Sequence, residues 1–265
     1  MRDSLLNILQ WLVDGWFALM PRPAPAHAGE AVKLVAHRGN TGESGAAREN
    51  TLAAFRRCAE LGVWGIEFDI RWCRDDIPVV IHDPDTGRVF GSPPIEIAGV
   101  TFDELRARVG GVPSLAEVVD EFGGRCHLMA EIKDKQLSDK QKRMLADHFS
   151  GLEPVIDYHL LSLDTAVFPL LSLFPAQAFM AVAETNTREM VDHTRRHRLG
   201  SVSGHYLLLS KSLRRTLQRQ KIGIGTGFIS NRKLLYRELA LGSEWLFTNH
   251  AAAMQRAADR LARKD

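Results

Sequence analysis

The chain has 265 residues, of which 45% are hydrophobic and 25% charged, and its formal net charge is +2. This composition is typical of a globular protein with a core to bury, and it excludes a chain that is disordered throughout. Basic residues form clusters such as Arg195–Arg198, but no aromatic side chains interleave them, so we expect no nucleic-acid partner.

The three cysteines have no metal-type spacing, and their odd number favours a reducing compartment over a disulfide framework.

The N-terminal segment 4–20 is apolar along one side. Its apolar side chains recur at helical spacing, at Leu5, Leu9, Leu12 and Trp16. The segment is too short and too polar to span a bilayer. We therefore predict that residues 1–30 form a short amphipathic helix and a proline-rich linker. The helix either packs on the domain or makes peripheral contact with a membrane.

A secretory signal is the alternative interpretation of this segment, because Ala26-His27-Ala28 resembles a cleavage site. Against it, Asp3 lies where a signal is basic and Asp14 lies where a signal is apolar. The sequence therefore favours a cytoplasmic location, including the membrane surface, over a secreted or periplasmic one.

From residue 31 onward, short apolar runs alternate with amphipathic stretches. The runs predicted as strands are Lys33–His37, Gly65–Ile70, Pro78–Asp83, His127–Lys133, His159–Leu163, Ala178–Ala183, Ser201–Tyr206, Ile222–Thr226 and Trp245–Thr248. This alternation indicates βα repeats around a parallel sheet. Eight or so units within residues 31–265 fit one (β/α)8 barrel, the TIM-barrel type of α/β fold, whose usual size is ~250 residues. A doubly wound open sheet is the alternative, but no GxGxxG follows the first strand.

One connection is too short for a parallel pair of strands. Only eight residues separate Asp69 from Pro78, and the Arg-Asp-Asp sequence at 74–76 is a natural turn. We therefore predict an antiparallel β-hairpin, without a helix, after the second strand. A turn centred between the two aspartates would place position 69 opposite position 82 and so set His82 beside Asp69.

Polar residues concentrate where the first four predicted strands end. They are His37 and Arg38, Glu67 and Asp69, His82 and Asp83, and Glu131 and Lys133. In a parallel barrel the carboxyl ends of the strands share one rim, and barrel enzymes place their sites there. A charged residue at a single strand end is often only solvated. Four consecutive strands that end in this way predict a functional site.

Carboxylates are prominent among these residues. Glu67 and Asp69 lie two apart on one strand and project to the same side, as do Glu131 and Lys133. Carboxylates that converge on a barrel mouth repel one another unless positive charge offsets them. Hard oxygen ligands in an incomplete cage suit a divalent cation, Mg²⁺ or Ca²⁺. A metal-free network of ion pairs with Arg38, Lys133 and Arg71 is the alternative.

His37 and His82 add groups that take and give protons near neutral pH. Cleavage of a phosphodiester needs a base for the attacking oxygen and an acid for the departing one, so two histidines form a natural pair. The spacing does not say which of them is the acid. Arg38 and Lys133 are suited to binding anionic phosphoryl oxygens.

The same residues occur in a recognisable order, namely His37-Arg38-Gly39, Glu49-Asn50-Thr51, Glu67-x-Asp69, His82-Asp83 and Glu131-x-Lys133. This series resembles the motifs of the glycerophosphodiester phosphodiesterases. The resemblance is strong over roughly residues 34–133 and weak over the rest. It implies a TIM barrel that acts on small glycerophosphodiesters and yields an alcohol and glycerol 3-phosphate.

The resemblance also implies a role for each matching position. The implied roles are metal binding for Glu67, Asp69 and Glu131, acid and base for His37 and His82, phosphate binding for Arg38 and Lys133, and support for Glu49, Asn50 and Asp83. The implied metal is again a divalent cation.

Two parts of the chain depart from the family pattern. The segment between Asp83 and Glu131 is short for the family's capping region, which predicts a more open site. The tryptophan that family members often carry on a later strand is absent from Ile222–Phe228, and Thr248-Asn249-His250 stands where Thr-Asp-x-Pro is common. These parts are expected to contact the alcohol side of the substrate.

The departures keep two further hypotheses open. One is a phosphodiesterase that cleaves lysophospholipids, in the manner of a lysophospholipase D. The other is a catalytically inactive barrel that serves as a membrane-associated binding scaffold. Ser162, His205 and Tyr206, at later strand ends, are further candidates for the pocket or equally for packing.

Overall fold

The computed structural model describes residues 32–91 and 93–263 and, before them, only residues 15, 16 and 19. The described strands are β1 (Lys33–Ala36), β2 (Gly65–Trp72), β3 (Pro78–Val80), β4 (His127–Ile132), β5 (Tyr158–Ser162), β6 (Phe179–Ala183), β7 (Ser201–His205), β8 (Gly223–Gly227) and β9 (Trp245–Thr248). The sheet closes because β1 pairs in parallel with both β2 and β9. All the strands except β3 form a parallel barrel of eight, so the predicted (β/α)8 fold is confirmed.

Helices on the outside of the barrel connect the strands. They are α1 (Leu52–Glu60), α2 (Gly87–Phe90), α3 (Phe102–Arg108), α4 (Leu115–Phe122), α5 (Asp139–Phe149), α6 (Thr187–His197), α7 (Lys211–Arg219), α8 (Arg232–Ala240) and α9 (Ala251–Ala262). Hydroxyl or amide oxygens cap several of their first turns, as Thr51 does for α1 and Ser114 for α4. Strands covered on both sides are mainly apolar, and all six residues of β4 are buried, the polar His127 and Glu131 included.

The hairpin of β2 and β3 is confirmed, but its predicted register is wrong by one residue. Ile70 lies opposite Val80, so Asp69 meets Ile81 rather than His82, and the backbone N–H of Ile81 donates to the Asp69 carbonyl at 3.0 Å. The reason is a loop of three residues, 74–76, instead of a two-residue turn. Its last residue, Asp76, has a φ of +67°, which is typical of a three-residue hairpin loop.

The segment after this hairpin builds a small core of its own over the end of β2. Its buried apolar side chains include Ile97, Leu105 and Val112, which pack against Val79 and Ile81. The segment carries α2 and α3, and the more open site expected from its length stays a prediction.

The N-terminal helix and linker predicted for residues 1–30 lie outside the described residues, apart from helical backbone at Gly15, Trp16 and Leu19. None of the helices in the described part of the chain is long and apolar enough to cross a membrane.

A buried ion pair holds the loop after β7. Arg214 on α7 donates to Glu238 on α8 at 2.5 Å and to the hydroxyl of Ser243 at 2.6 Å. Its Nε atom donates to the backbone carbonyl of Leu209 at 2.9 Å. Because Arg214 is almost fully buried, it depends on Glu238 for its charge to be tolerated, and Glu238 also pairs with Arg237. The loop that ends at Leu209 is thereby fixed to two helices.

Two histidines close the N-terminal end of the barrel. His127 Nε2 and His159 Nδ1 are 2.8 Å apart, and His127 Nδ1 donates to the carbonyl of Ile156 at 2.8 Å. Trp64 stacks on His127, and Trp245 packs edge-on against His159. Burial lowers the pKa of His127 to about 4, and burial together with His127 lowers the pKa of His159 to about 3.

This pair predicts a loss of stability in mild acid. In the unfolded chain these two histidines take up protons below their ordinary pKa of 6.5. In the folded chain the same two side chains stay neutral until the pH falls to about 4 or lower. Stability is therefore retained above about pH 6.5 and falls by about 2 kcal/mol per histidine between about pH 7 and pH 5. Urea unfolding at the two pH values measures it. His159→Asn, which keeps a donor near His127, is expected to show a smaller fall, and a fall as large as in the wild type would contradict the prediction.

Candidate active site

The rim at the C-terminal end of β1 begins with a strained turn. His37–Gly39 form one 3₁₀ turn, in which Arg38 has a φ of +54° and Gly39 a φ of +69°. A Cβ atom at position 39 would lie 2.6 Å from the ring of Phe55, so only glycine fits there. The turn points the Arg38 backbone N–H at Glu67, where it donates to Oε2 at 2.9 Å. Close packing against α1 thus positions the first two candidate residues.

Three carboxylates meet beside this turn. Glu67 and Asp69 on β2 and Glu131 on β4 each offer an oxygen, and these oxygens lie within 4.8 Å of one another. All three side chains are buried, because alternation along the strands points them into the barrel mouth. Burial, then the neighbouring Asp69 and Glu131, raises the pKa of Glu67 well above its ordinary value. Burial and Asp69 also raise the pKa of Glu131.

Two cations from the protein reach the carboxylate cluster. Lys133 Nζ donates to Glu131 at 2.8 Å and lies 3.4 Å from Asp69 Oδ1. Arg38 Nε lies 3.4 Å from Asp69 Oδ2, but the same guanidinium also donates to Glu49 at 3.0 Å. The ion-pair network considered for these residues is therefore present for Arg38 and Lys133, whereas Arg71 pairs with Asp134 at 3.4 Å instead. It supplies less positive charge than three ionised carboxylates require.

The cluster fits a divalent cation. Asn50 donates to Asp69 Oδ2 at 2.8 Å, whereas the other oxygen, Oδ1, is buried without a hydrogen-bond partner. A buried carboxylate oxygen without a hydrogen bond is costly and is a natural ligand for a hard cation. Glu67, Asp69 and Glu131 are the residues that would hold such an ion. The amide oxygen of Asn50 is also buried and without a hydrogen-bond partner.

His37 lies beside the carboxylate cluster. Its Nδ1 atom is 2.7 Å from the side-chain oxygen of Asn249, which accepts the Nδ1 proton, and its Nε2 atom is 3.9 Å from Glu67. The ring of Phe228 packs edge-on against the imidazole, with 5.2 Å between centroids. Burial and the nearby Arg38 lower the pKa of His37 to about 4, so this imidazole is neutral near pH 7.

His82 has a different partner. Its Nδ1 atom lies 2.8 Å from a carboxylate oxygen of Asp83. Partial burial lowers the pKa of His82, and the bond to Asp83 opposes this shift. Burial alone would raise the pKa of Asp83, but hydrogen bonds from His82 and Arg88 lower it. The second imidazole is therefore paired with an ionised carboxylate.

A chain of ion pairs links the two histidine-bearing loops. Arg88 donates to Asp83 at 2.5 Å and to Glu49 at 2.6 Å, and Glu49 in turn accepts from Arg38. Burial opposes ionisation of Glu49, but bonds from Arg88 and Arg38 lower its pKa below the ordinary value. The segment that carries α2 is thereby connected to the end of β1.

The structure brings the predicted residues together at one rim. These are His37, Arg38, Glu49, Asn50, Glu67, Asp69, His82, Asp83, Glu131 and Lys133. Arg88 is not among the residues predicted from the sequence. Asn249 and Phe228 stand out there only as departures from the family pattern, although both contact His37. A polar residue directly after the last strand was the signal available for Asn249.

Later strand ends contribute differently. The hydroxyl of Ser162 donates to the carbonyl of Ile132 at 3.3 Å, which is a packing role. Glycines in β8 allow close contact with neighbouring side chains. A Cβ atom at Gly223 would lie 2.4 Å from the ring of Trp245, and one at Gly225 would lie 2.7 Å from Ser203.

Comparison with known sequences identifies relatives. Residues 37–216 match the model of the glycerophosphoryl diester phosphodiesterase family. A 77-residue segment is 36% identical to human glycerophosphodiester phosphodiesterase 1, covering 29% of this chain and 22% of that protein. A 112-residue segment is 34% identical to the glycerophosphodiester phosphodiesterase of Caldanaerobacter subterraneus subsp. tengcongensis, covering 38% of this chain and 44% of that protein. The matched segments thus span less than half the length of these curated relatives.

Solved structures share the fold. The glycerophosphodiester phosphodiesterase of Thermotoga maritima superposes with a TM-score of 0.73 at 19% identity, covering 86% of this chain and 98% of that one. An Oleispira antarctica phosphodiesterase, solved with the product sn-glycerol-3-phosphate, superposes with a TM-score of 0.72 at 20% identity, covering 86% and 96%. The family model covers more than half of the chain, and the barrel agrees with it. The chain therefore belongs to the glycerophosphoryl diester phosphodiesterase family.

Proposed function

We propose that this protein hydrolyses glycerophosphodiesters to an alcohol and glycerol 3-phosphate. The observation that carries the proposal is the convergence of three buried carboxylates, two cations and two imidazoles at one rim of the barrel. Family membership supports it, and so does the related Oleispira antarctica phosphodiesterase with its bound product. The proposed catalytic residues are His37 and His82.

The partners of the two imidazoles suggest which of them is the acid and which is the base. Asn249 accepts the Nδ1 proton of His37, which leaves Nε2 as the atom that takes a proton. Asp83 instead favours the protonated form of His82, against the burial that lowers the pKa of this imidazole. We therefore assign His37 as the proton acceptor for the attacking oxygen and His82 as the donor to the departing alcohol. The attacking oxygen belongs to water or to the neighbouring hydroxyl of the glycerol, and the same pair serves either.

Positive charge at the rim supports binding of the phosphodiester. Arg38 and Lys133 are proposed to bind the anionic phosphoryl oxygens, because both point into the mouth beside the carboxylates. Glu67, Asp69 and Glu131 are proposed to hold Mg²⁺ or Ca²⁺. A divalent cation held there supplies positive charge that stabilises the phosphoryl oxygens as the bond breaks. Glu49, Asn50 and Asp83 keep the other side chains in place.

A cytoplasmic location is part of the proposal. The three cysteines, Cys58, Cys73 and Cys126, are buried free thiols, which suits a reducing compartment.

Removal of either imidazole is expected to lower kcat by about 10²–10⁴-fold, the usual range for loss of a general acid or base. The variants are His37→Ala and His82→Ala. The measurement is release of glycerol 3-phosphate from glycerophosphocholine and glycerophosphoethanolamine with Mg²⁺, Ca²⁺ or chelator. His193→Ala, on the outer helix α6, is the matched control and should behave as the wild type. A His82→Ala enzyme with full activity would refute the role of His82. An inactive wild type would favour the hypothesis of a catalytically inactive scaffold.

Metal binding is expected to raise thermal stability independently of activity. A cation at about 100 times its Kd stabilises the folded chain by about 2.7 kcal/mol, which corresponds to a Tm rise of roughly 5–10 °C for a domain of this size. Differential scanning fluorimetry with Ca²⁺ or Mg²⁺ against chelator measures it. The double variant Glu67→Gln, Asp69→Asn should show no metal-dependent rise. An unchanged wild-type Tm with both ions would favour the metal-free network of ion pairs.

Cleavage of lysophospholipids is the second candidate function, and one observation favours it. Phe228 is 43% exposed and packs against His37, so apolar surface borders the proposed catalytic imidazole. Such a side chain suits the first carbons of an acyl chain. Phe228→Ser is expected to lower kcat/KM for lysophosphatidylcholine about tenfold more than for glycerophosphocholine. Equal losses on the two substrates would remove this candidate.

A further inference from the structure

Three large apolar side chains are exposed at the C-terminal rim, in two neighbouring loops. Leu207 and Leu208 follow β7 and are 49% and 42% exposed, and Phe228 follows β8. The loops are adjacent because the backbone N–H of Tyr206 donates to the carbonyl of Gly227 at 3.1 Å. Single exposed apolar residues are ordinary, but a cluster of this kind marks an interaction surface.

Basic residues begin the two helices that follow these loops. Lys211 is the first residue of α7, and Arg232 and Lys233 are the first two of α8. Because these helices run back from the strand ends, the three residues lie at the same end of the barrel as the apolar side chains. The sequence from 205 to 237 contains no acidic residue. Within the described part of the chain, neither Lys211 nor Lys233 pairs with an acidic side chain.

Helix stability does not explain these cations. The N-terminus of a helix carries partial positive charge, which favours acidic rather than basic residues in the first turn. Helices α3 and α4 follow this preference, with Asp103 and Glu104 in one and Glu117 in the other. The first turns of α7 and α8 contain no acidic residue. The helix dipole therefore does not account for their basic residues.

We propose that this surface, the rim patch of Leu207, Leu208, Lys211, Phe228, Arg232 and Lys233, binds an anionic lipid bilayer. Apolar side chains flanked by basic ones are the combination that binds membrane interfaces. The apolar groups enter the headgroup region, and the cations are attracted to anionic lipids. An anionic bilayer satisfies both features of the patch at once.

The rim patch adjoins the candidate active site through Phe228, which contacts His37. Binding through the patch therefore turns the mouth of the barrel toward the bilayer. This contact differs from the one predicted for residues 4–20, because it is built into the barrel. It also stands independently of the proposed hydrolysis, since it concerns a surface and not the reacting groups.

A fluorophore at the patch tests the proposal in the full-length chain. All three native cysteines are buried, so a single introduced cysteine can be labelled with an environment-sensitive dye such as nitrobenzoxadiazole. Leu208→Cys places the dye in the patch. Leu173→Cys is the matched control, because Leu173 is 60% exposed and its neighbour Phe174 packs on Tyr158, which begins β5 at the opposite end. Vesicles of phosphatidylcholine with phosphatidylserine should raise the fluorescence at least about twofold at position 208 and leave it unchanged at position 173.

Charge reversal supplies the second measurement. Lys211→Glu with Lys233→Glu is expected to weaken vesicle binding at least about tenfold. Arg219→Glu with Lys221→Glu, at the other end of α7, gives the same net charge and should bind as the wild type. Vesicles of phosphatidylcholine alone should bind at least about tenfold more weakly.

Three results would overturn the proposal. They are failure of the wild type to bind anionic vesicles, a weakening by Lys211→Glu with Lys233→Glu no greater than in the control pair, and binding without a fluorescence rise at position 208. The last result would assign membrane contact to another part of the chain, such as residues 4–20.

Discussion

Mutual repulsion among three buried carboxylates is the constraint on which the rest of the site depends. Asp69 on β2 lies opposite Glu131 on β4, and Glu67 precedes Asp69 on the same face. Strand alternation keeps all three side chains on the inner face of the barrel, so their carboxylates share one small volume. Burial strengthens the repulsion, since a low dielectric screens charge poorly. The raised pKa of Glu67 expresses this cost. Protonation of a carboxylate, positive charge from another part of the molecule, or an ion offsets it.

The surrounding structure supplies this charge only in part. Arg38 reaches the carboxylate cluster because the turn after β1 takes a positive φ, but it shares its charge with Glu49. Glu49 and Asp83 in turn engage Arg88, so the outer ion pairs largely neutralise one another. The positive charge that remains for the carboxylate cluster is that of Lys133 and part of that of Arg38. This shortfall is the physical reason to expect a divalent cation, and the same ion pairs also position the loops that carry the two proposed catalytic histidines.

The sequence predicts whatever depends on strand alternation and on the shared rim of a parallel barrel. The convergence of Glu67, Asp69 and Glu131 follows from those two rules alone. The hairpin register does not, because Asp76 tolerates a positive φ without requiring it, and this choice decides between a two-residue and a three-residue loop. Contacts such as that between Asn249 and His37 span 212 positions and leave no local pattern to find.

The two ends of the barrel show how burial and partners decide what a histidine can do. His127 and His159 at the N-terminal end bond mainly to each other and to a backbone carbonyl, and two tryptophans pack against them. Burial lowers the pKa of both imidazoles, so they stay neutral in the core. At the opposite end, an amide and a carboxylate hold His37 and His82 at their Nδ1 atoms. Each of these two imidazoles therefore keeps its other nitrogen for the proton exchange proposed above. Residue type alone does not distinguish the buried pair from the pair at the rim. The two pairs differ in the surroundings of the ring nitrogens that the partners named above leave over.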